Sequence, residues 1–265
     1  MLDSLVNPII RHDWSILLAT GILLLGAAEI GYRIGRRHTP ERRKTHQPQS
    51  GALQGALLGL LGLLLGFTFA MAVARYDARK QLVLDEANAI GTAWLRAAFL
   101  GDQAENTIRT ALMDYIDARL EGADATFDSS RFSEQAARSE RDQAAMWRTT
   151  VAEVKARDTP SASLFTAALN DLIDLDSKRQ GAMRNHIPAT VWLLLMLVAA
   201  TVCGTTGYAT ALGESGRHTL SMVILPALLA VVITIVADLD NPHRGLIHVS
   251  QQGMRDLKET LQKYK

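Results

Sequence analysis

Charged positions are unevenly spread along the chain. Four windows are almost free of them: Trp14 to Tyr32 (19 residues), Ala52 to Ala74 (23), Ile187 to Leu212 (26) and Thr219 to Ala237 (19), and Glu29 is the one charged residue they contain. A helix rises 1.5 Å per residue, so roughly 20 mostly apolar residues cross a hydrocarbon layer about 30 Å thick. All four windows meet that length or fall a residue short. They are apolar all round, unlike core helices of soluble proteins, which keep a polar face. The first is too long for a signal-peptide core, and its basic cluster follows the apolar stretch instead of preceding it. The pattern predicts an all-α membrane protein, with four transmembrane helices in two hairpins and a helical extramembrane domain between them.

The divisions follow from the windows. They are an N-terminal stub (1–13), a first hairpin (14–74) whose spans 14–32 and 52–74 flank a basic loop at 33–51, and a helical domain (75–186). A second hairpin (187–237, spans 187–212 and 219–237) and an amphipathic tail (238–265) complete the chain. The middle domain divides into helical stretches at about 75–100, 102–121, 130–157 and 160–186. Gly101-Asp102 reads as a stop followed by a new N-cap, and Thr159-Pro160 as an N-cap with proline in the first turn. Apolar stripes run along each stretch: Val83, Ala87, Ile90, Trp94 and Ala97; Ile108, Leu112, Tyr115 and Ile116; Trp147, Val151 and Val154; Leu164, Phe165, Ala168, Leu169, Leu172 and Ile173. Faces of this kind bury against one another, as a bundle. In the tail, Met254, Leu257, Leu261 and Tyr264 predict a further amphipathic helix.

The second span carries Gly55, Gly59, Gly62 and Gly66 at steps of 4, 3 and 4, and the rhythm continues through Phe69, Val73, Tyr76 and Lys80 to the Val83–Ala97 stripe. One continuous helix from about 52 to 100 follows, with one face persisting along it. Small residues at this spacing let helices approach closely; alternatively, they leave room along a central pathway. Gly55, Gly59, Gly62, Gly66 and Phe69 are therefore the candidate packing or pathway face, and Leu63 and Phe67 the candidate hydrophobic constriction.

Composition alone would hide all this. The 265 residues are 48% hydrophobic and 21% charged with a net charge of +1, ordinary values for a soluble domain. Charge placement is more telling: loop 33–51 holds Arg33, Arg36, Arg37, Arg42, Arg43 and Lys44 against Glu41. The positive-inside bias puts loops 33–51 and 213–218 in the cytoplasm, and the middle domain and both termini outside a bacterial inner membrane. Lacking a basic stripe, the middle domain has no footprint for nucleic acid.

Candidate polar groups are few. Glu29 and Arg33, four apart, make either a snorkelling pair or a pathway residue with its partner. Thr201 and Thr205 share a face of the third span, for hydrogen bonding between helices or for a polar path. Asp238 and Asp240, at the exit of the fourth span, either form a cation-attracting ring in an oligomer or mark the membrane surface. Pro226 should kink that span. Asp171, Asp174 and Asp176 read as a solvated acidic patch. The seven histidines show no metal-ligand spacing, Cys203 is the single cysteine, and no phosphate loop, zinc-helix or nucleophile-elbow motif occurs, so neither an enzyme nor a cofactor or metal site is expected.

Two segments carry a family resemblance. Residues 51–97, which contain GALLGLLGLLLGFTFAMAVARYDARKQ, and residues 237–252, ADLDNPHRGLIHVSQQ, resemble the bacterial bestrophin-like four-span membrane proteins. True bestrophins are pentameric, mainly anion-selective channels whose second helix lines the pore and whose large domain is cytosolic. The resemblance implies a homo-oligomer, a pentamer by analogy, in contact with lipid and inorganic ions, with the second span innermost. No bestrophin-type acidic calcium site can be matched here, and bestrophin orientation would put the basic loop outside, against the charge count. The expected function is an oligomeric ion channel; the alternative is a non-conducting membrane scaffold or sensor whose extramembrane helices bind a partner.

Overall fold

The computed structural model describes residues 13–37, 40–124, 129–157, 159–213, 219–241 and 247–264. Among these, eight helices and no strand occur: α1 (Asp13–Arg36), α2 (Pro40–Ala97), α3 (Asp102–Asp124), α4 (Ser129–Ala156), α5 (Pro160–Arg184), α6 (Ala189–Leu212), α7 (Thr219–Asp240) and α8 (Gln252–Gln262). Stretches long and apolar enough to cross a membrane lie at Trp14–Arg36, within Gly51–Ala97, within Pro160–Leu212 and at Met222–Asp240. The protein is thus a multi-pass, all-helical membrane protein.

Its helices form two compact units. Unit 1 comprises Met1–Arg75 and His186–Ile247; unit 2 comprises Tyr76–Asn185 and His248–Lys265. The expected long helix exists and is longer than expected, because α2 starts at Pro40. Proline suits a first helical turn, and Glu41, Arg42, Arg43 and Lys44 are good helix formers. Most of the predicted 33–51 loop is therefore helix. The 1–12 stub and most of the 213–218 loop lie outside the described residues.

In unit 1 the core joins Leu24 and Ala28 of α1, Leu61 of α2, Leu195, Val198, Ala199, Val202 and Cys203 of α6, and Met222, Leu229 and Ile233 of α7. Glycine lets α1 and α6 touch backbone to backbone. A Cβ added at Gly31 would fall 1.9 Å from the Gly204 carbonyl oxygen, and one at Gly207 would fall 1.9 Å from that of Ala28. Gly35 is as confined, 2.7 Å from Ala211 Cβ and 2.9 Å from the Tyr208 carbonyl. Lipid offers no hydrophobic drive between helices, so such close backbone contact supplies the van der Waals attraction that holds them. Gln54 Nε2 adds a hydrogen bond from α2 to Thr206 Oγ1 of α6, 3.0 Å. Pro226 stands inside α7, which continues past it to Asp240.

Unit 2 is built on Ile90, Trp94 and Ala97 of α2, Ile108, Leu112, Tyr115 and Ile116 of α3, Met146 of α4, Phe165, Leu169 and Leu172 of α5, and Met254 and Leu261 of α8. Arg109 sits 5.1 Å above the Trp94 ring, a cation–π contact. Thr159 caps α5 by accepting from Ala162 N at 3.2 Å, with Pro160 next, as the sequence predicts. The tail helix docks by Met254, Leu261 and the Lys258–Asp117 ion pair at 2.7 Å, while Tyr264 is exposed.

One stripe holds only in part. On α4, Val154 packs against the core, but Trp147 and Val151 are exposed, and the buried row is Gln135, Ser139, Gln143, Met146 and Thr150. In that row Gln143 Nε2 donates to Asp176 Oδ2 of α5 at 2.8 Å, and Thr150 Oγ1 donates to the Met146 carbonyl of its own helix at 2.8 Å. The expected Asp171–Asp176 patch divides accordingly. Asp171 and Asp174 are exposed, and Asp176 is buried.

Candidate functional site: the open face of the second helix

Helix α2 is covered by its own chain on one side only in its membrane-spanning part. Leu61, Thr68 and Ala72 are buried, with Gln54, Leu57, Leu64 and Leu65 partly so. At 100° per residue, the row Gly55, Gly59, Gly62, Gly66 and Phe69 lies about 130° around the helix from that contact. All five are exposed, and a Cβ placed on any of the four glycines meets nothing within 4 Å. Within the chain this row is open. The glycines that pack helices are instead Gly31, Gly35 and Gly207 on α1 and α6. Their signal in the sequence is the Gly31-x-x-x-Gly35 spacing matched by small residues at 204, 207 and 211.

The continuity expected from Gly55 to Ala97 needs correction. Val83, Ile90, Trp94 and Ala97 prolong the covered row Leu61, Thr68, Ala72 and Arg79, whereas the glycine row leads to Lys80, which is exposed. The candidate constriction shifts for a similar reason. Leu63 and Phe67 are exposed by 55% and 62%, but they lie about 100° from the glycine row. Phe69 lies within it.

The remaining candidates are held by contacts within the chain. Arg33 Nε donates to Glu29 Oε1 at 2.9 Å, the snorkelling geometry. Thr201 donates to the Leu197 carbonyl at 2.8 Å, and Thr205 to that of Thr201 at 3.0 Å, so both hydroxyls bond within α6. Asp238 and Asp240 are buried within the chain. Asp240 accepts from Ile187 N at 3.1 and 2.9 Å with its two oxygens, and Arg75 Nη1 lies 3.7 Å away. Asp238 Oδ2 accepts from Ile247 N at 3.1 Å. Asp240 thus ties the end of α7 to the segment that leads into α6, and Asp238 ties α7 to Ile247 beyond it.

Sequence reasoning missed a buried polar cluster in unit 2. Glu86 Oε1 accepts from Tyr115 Oη at 2.6 Å and Arg119 Nε at 2.8 Å; its Oε2 accepts from Arg119 Nη2 at 2.8 Å and lies 3.4 Å from Arg179 Nε. Arg179 also pairs with Asp176, which accepts from Gln143 and, at 3.0 Å, from Gln180. Two carboxylates and two guanidiniums balance. Glu86 lies twelve residues beyond the apolar window that ends at Ala74. Burial alone would raise its pKa, but the charges and hydrogen bonds of Arg119, with Arg179 and Tyr115, outweigh it and bring the carboxyl down to about 2. For Tyr115, burial and the Glu86 charge push the phenol well above its usual value. A signal was available: Glu86 interrupts the apolar stripe between Val83 and Ile90.

Comparison with known proteins places this architecture. Nothing among curated proteins matches the sequence. Solved structures of a bacterial bestrophin homologue from Klebsiella pneumoniae superpose along nearly their whole length. A tryptophan-to-alanine variant matches at a TM-score of 0.67 and 13% identity, over 93% of this chain and 97% of that one. A tyrosine-to-alanine variant gives 0.66 and 13%, over 91% and 97%, and a form phased from zinc gives 0.65 and 14%, over 94% and 96%. At such identities the likeness shows the fold. The bestrophin-like domain itself matches residues 21–254. By that match, over most of its length and on a fold of the same kind, the chain belongs to the bestrophin-like family.

Proposed function

We propose that the protein is the subunit of a homo-oligomeric ion channel in a bacterial plasma membrane, with the glycine row of α2 facing the conduction pathway. The observation that carries this is the openness of Gly55, Gly59, Gly62 and Gly66 on a helix whose other side is packed. An uncovered row of small residues, with no charge from Ala52 to Ala74, leaves space and backbone dipoles along an axis shared by several copies. Phe69 is the bulky member of that row and serves as its narrowest ring. The family supports the reading. Planar-bilayer recording of purified oligomer tests it: unitary currents are expected, with larger conductance for Phe69→Ala. Silence across pH, calcium and voltage would assign a non-conducting scaffold instead.

The basic segment after the first span sets the proposed orientation, with residues 33–51 cytoplasmic and unit 2 outside. Ser163 is exposed in unit 2. A Ser163→Cys variant in a Cys203→Ala background should react with an impermeant thiol reagent in intact spheroplasts. Reaction only after lysis would reverse the orientation.

A further inference from the structure

We propose that the buried cluster around Glu86 is a register key, which fixes the axial and rotational setting of the four long helical segments of unit 2 and contributes little net stability. Each contributes: Glu86 from α2, Tyr115 and Arg119 from α3, Gln143 from α4, and Asp176, Arg179 and Gln180 from α5. All but Gln180 are at least nine-tenths buried. Removing two ion pairs from water costs about as much as their attraction returns, so apolar side chains of similar size would hold such a core as well. Apolar stripes tolerate slippage. Much of the remaining interface is alanine and leucine, as at Ala87, Ala93, Ala97, Ala104, Leu112 and Leu169, beside the larger Trp94 and Phe165, and such non-directional contacts specify a register less sharply than paired charges do. The two-oxygen grip of Glu86 on Arg119 allows no such shift, because a slip of one turn, about 5.4 Å, breaks the bonds that join two helices in the cluster and leaves Glu86 and Arg119 buried without each other.

The test replaces the charges with apolar residues: Glu86→Leu, Arg119→Met, Asp176→Leu and Arg179→Met together. Spin labels on Asn88→Cys and Arg141→Cys, both exposed sites, in a Cys203→Ala background and with unlabelled chain in excess, report the α2–α4 distance. The register key predicts a cooperative thermal transition near that of the parent, and a distance distribution that gains a second population displaced by about 5 Å. A single population of parental width would overturn it. Should the fourfold variant lack a cooperative transition, Glu86→Met with Arg119→Met, which removes the two-oxygen grip, fills much of the same space and leaves Asp176 and Arg179 paired, takes its place under the same two readings.

Discussion

Glu86 is covered by protein on every side, and its environment decides its charge state. A carboxyl whose folded pKa lies near 2 against an ordinary 4.5 contributes stability that is fully present above pH 4.5 and lost as pH falls from there toward 2. Thermal unfolding of unit 2, followed by circular dichroism, should weaken over that window, and a Glu86→Gln protein should lose most of the dependence. Removing the carboxylate outright leaves Arg119 buried without its partner, so Glu86→Ala should cost about 3–5 kcal/mol. A cost under 1 kcal/mol would contradict the burial. In the sequence, the cluster could be suspected only from an acid inside an apolar stripe. Its partners lie 29 to 93 positions away, and nothing local to Glu86 announces Arg119 or Arg179. Asp176 was unreadable for a related reason: neighbours in sequence suggested a patch, whereas burial is decided by which helix faces it.

At the level of whole helices, the two sets of glycines separate by what surrounds them. Gly207 leaves no room for a side chain beside the Ala28 carbonyl, so Gly207→Leu should force α1 and α6 apart and abolish folded, monodisperse protein in detergent. Gly62 meets open space, and Gly62→Ala should leave the melting of the single subunit unchanged, less than 1 kcal/mol by helix propensity and in the stabilising direction. A size-exclusion profile checks the first statement and a thermal melt the second. Helix positions were legible because hydrophobic length, prolines and caps are local signals, as Thr159-Pro160 illustrates. The partners of each face were not. Periodicity of α4 selects Trp147, Val151 and Val154; Val154 packs against the core, whereas Trp147 and Val151 are exposed and the buried stripe is Gln135, Ser139, Gln143, Met146 and Thr150. Likewise the 4-3-4 glycine rhythm marks a row without stating whether another helix lies against it.

For the molecule as a whole, chain organisation was readable from the segregation of charge, since four apolar windows and one long helical insertion leave few arrangements. The open side of α2 was not, because it depends on where α1, α6 and α7 pack. That open side is the centre of the functional account. Single cysteines at Gly59, Gly62, Gly66 and Phe69, and at the covered positions Leu61 and Thr68, each in a Cys203→Ala background, place a reactive group on one face or the other. Bilayer currents through each oligomer would then be followed while a charged methanethiosulfonate reagent is applied. Modification is expected to change conductance at positions 59, 62, 66 and 69 and to leave 61 and 68 unaffected; equal sensitivity on both faces, or an effect confined to 61 and 68, would rule out a pathway along the glycine row.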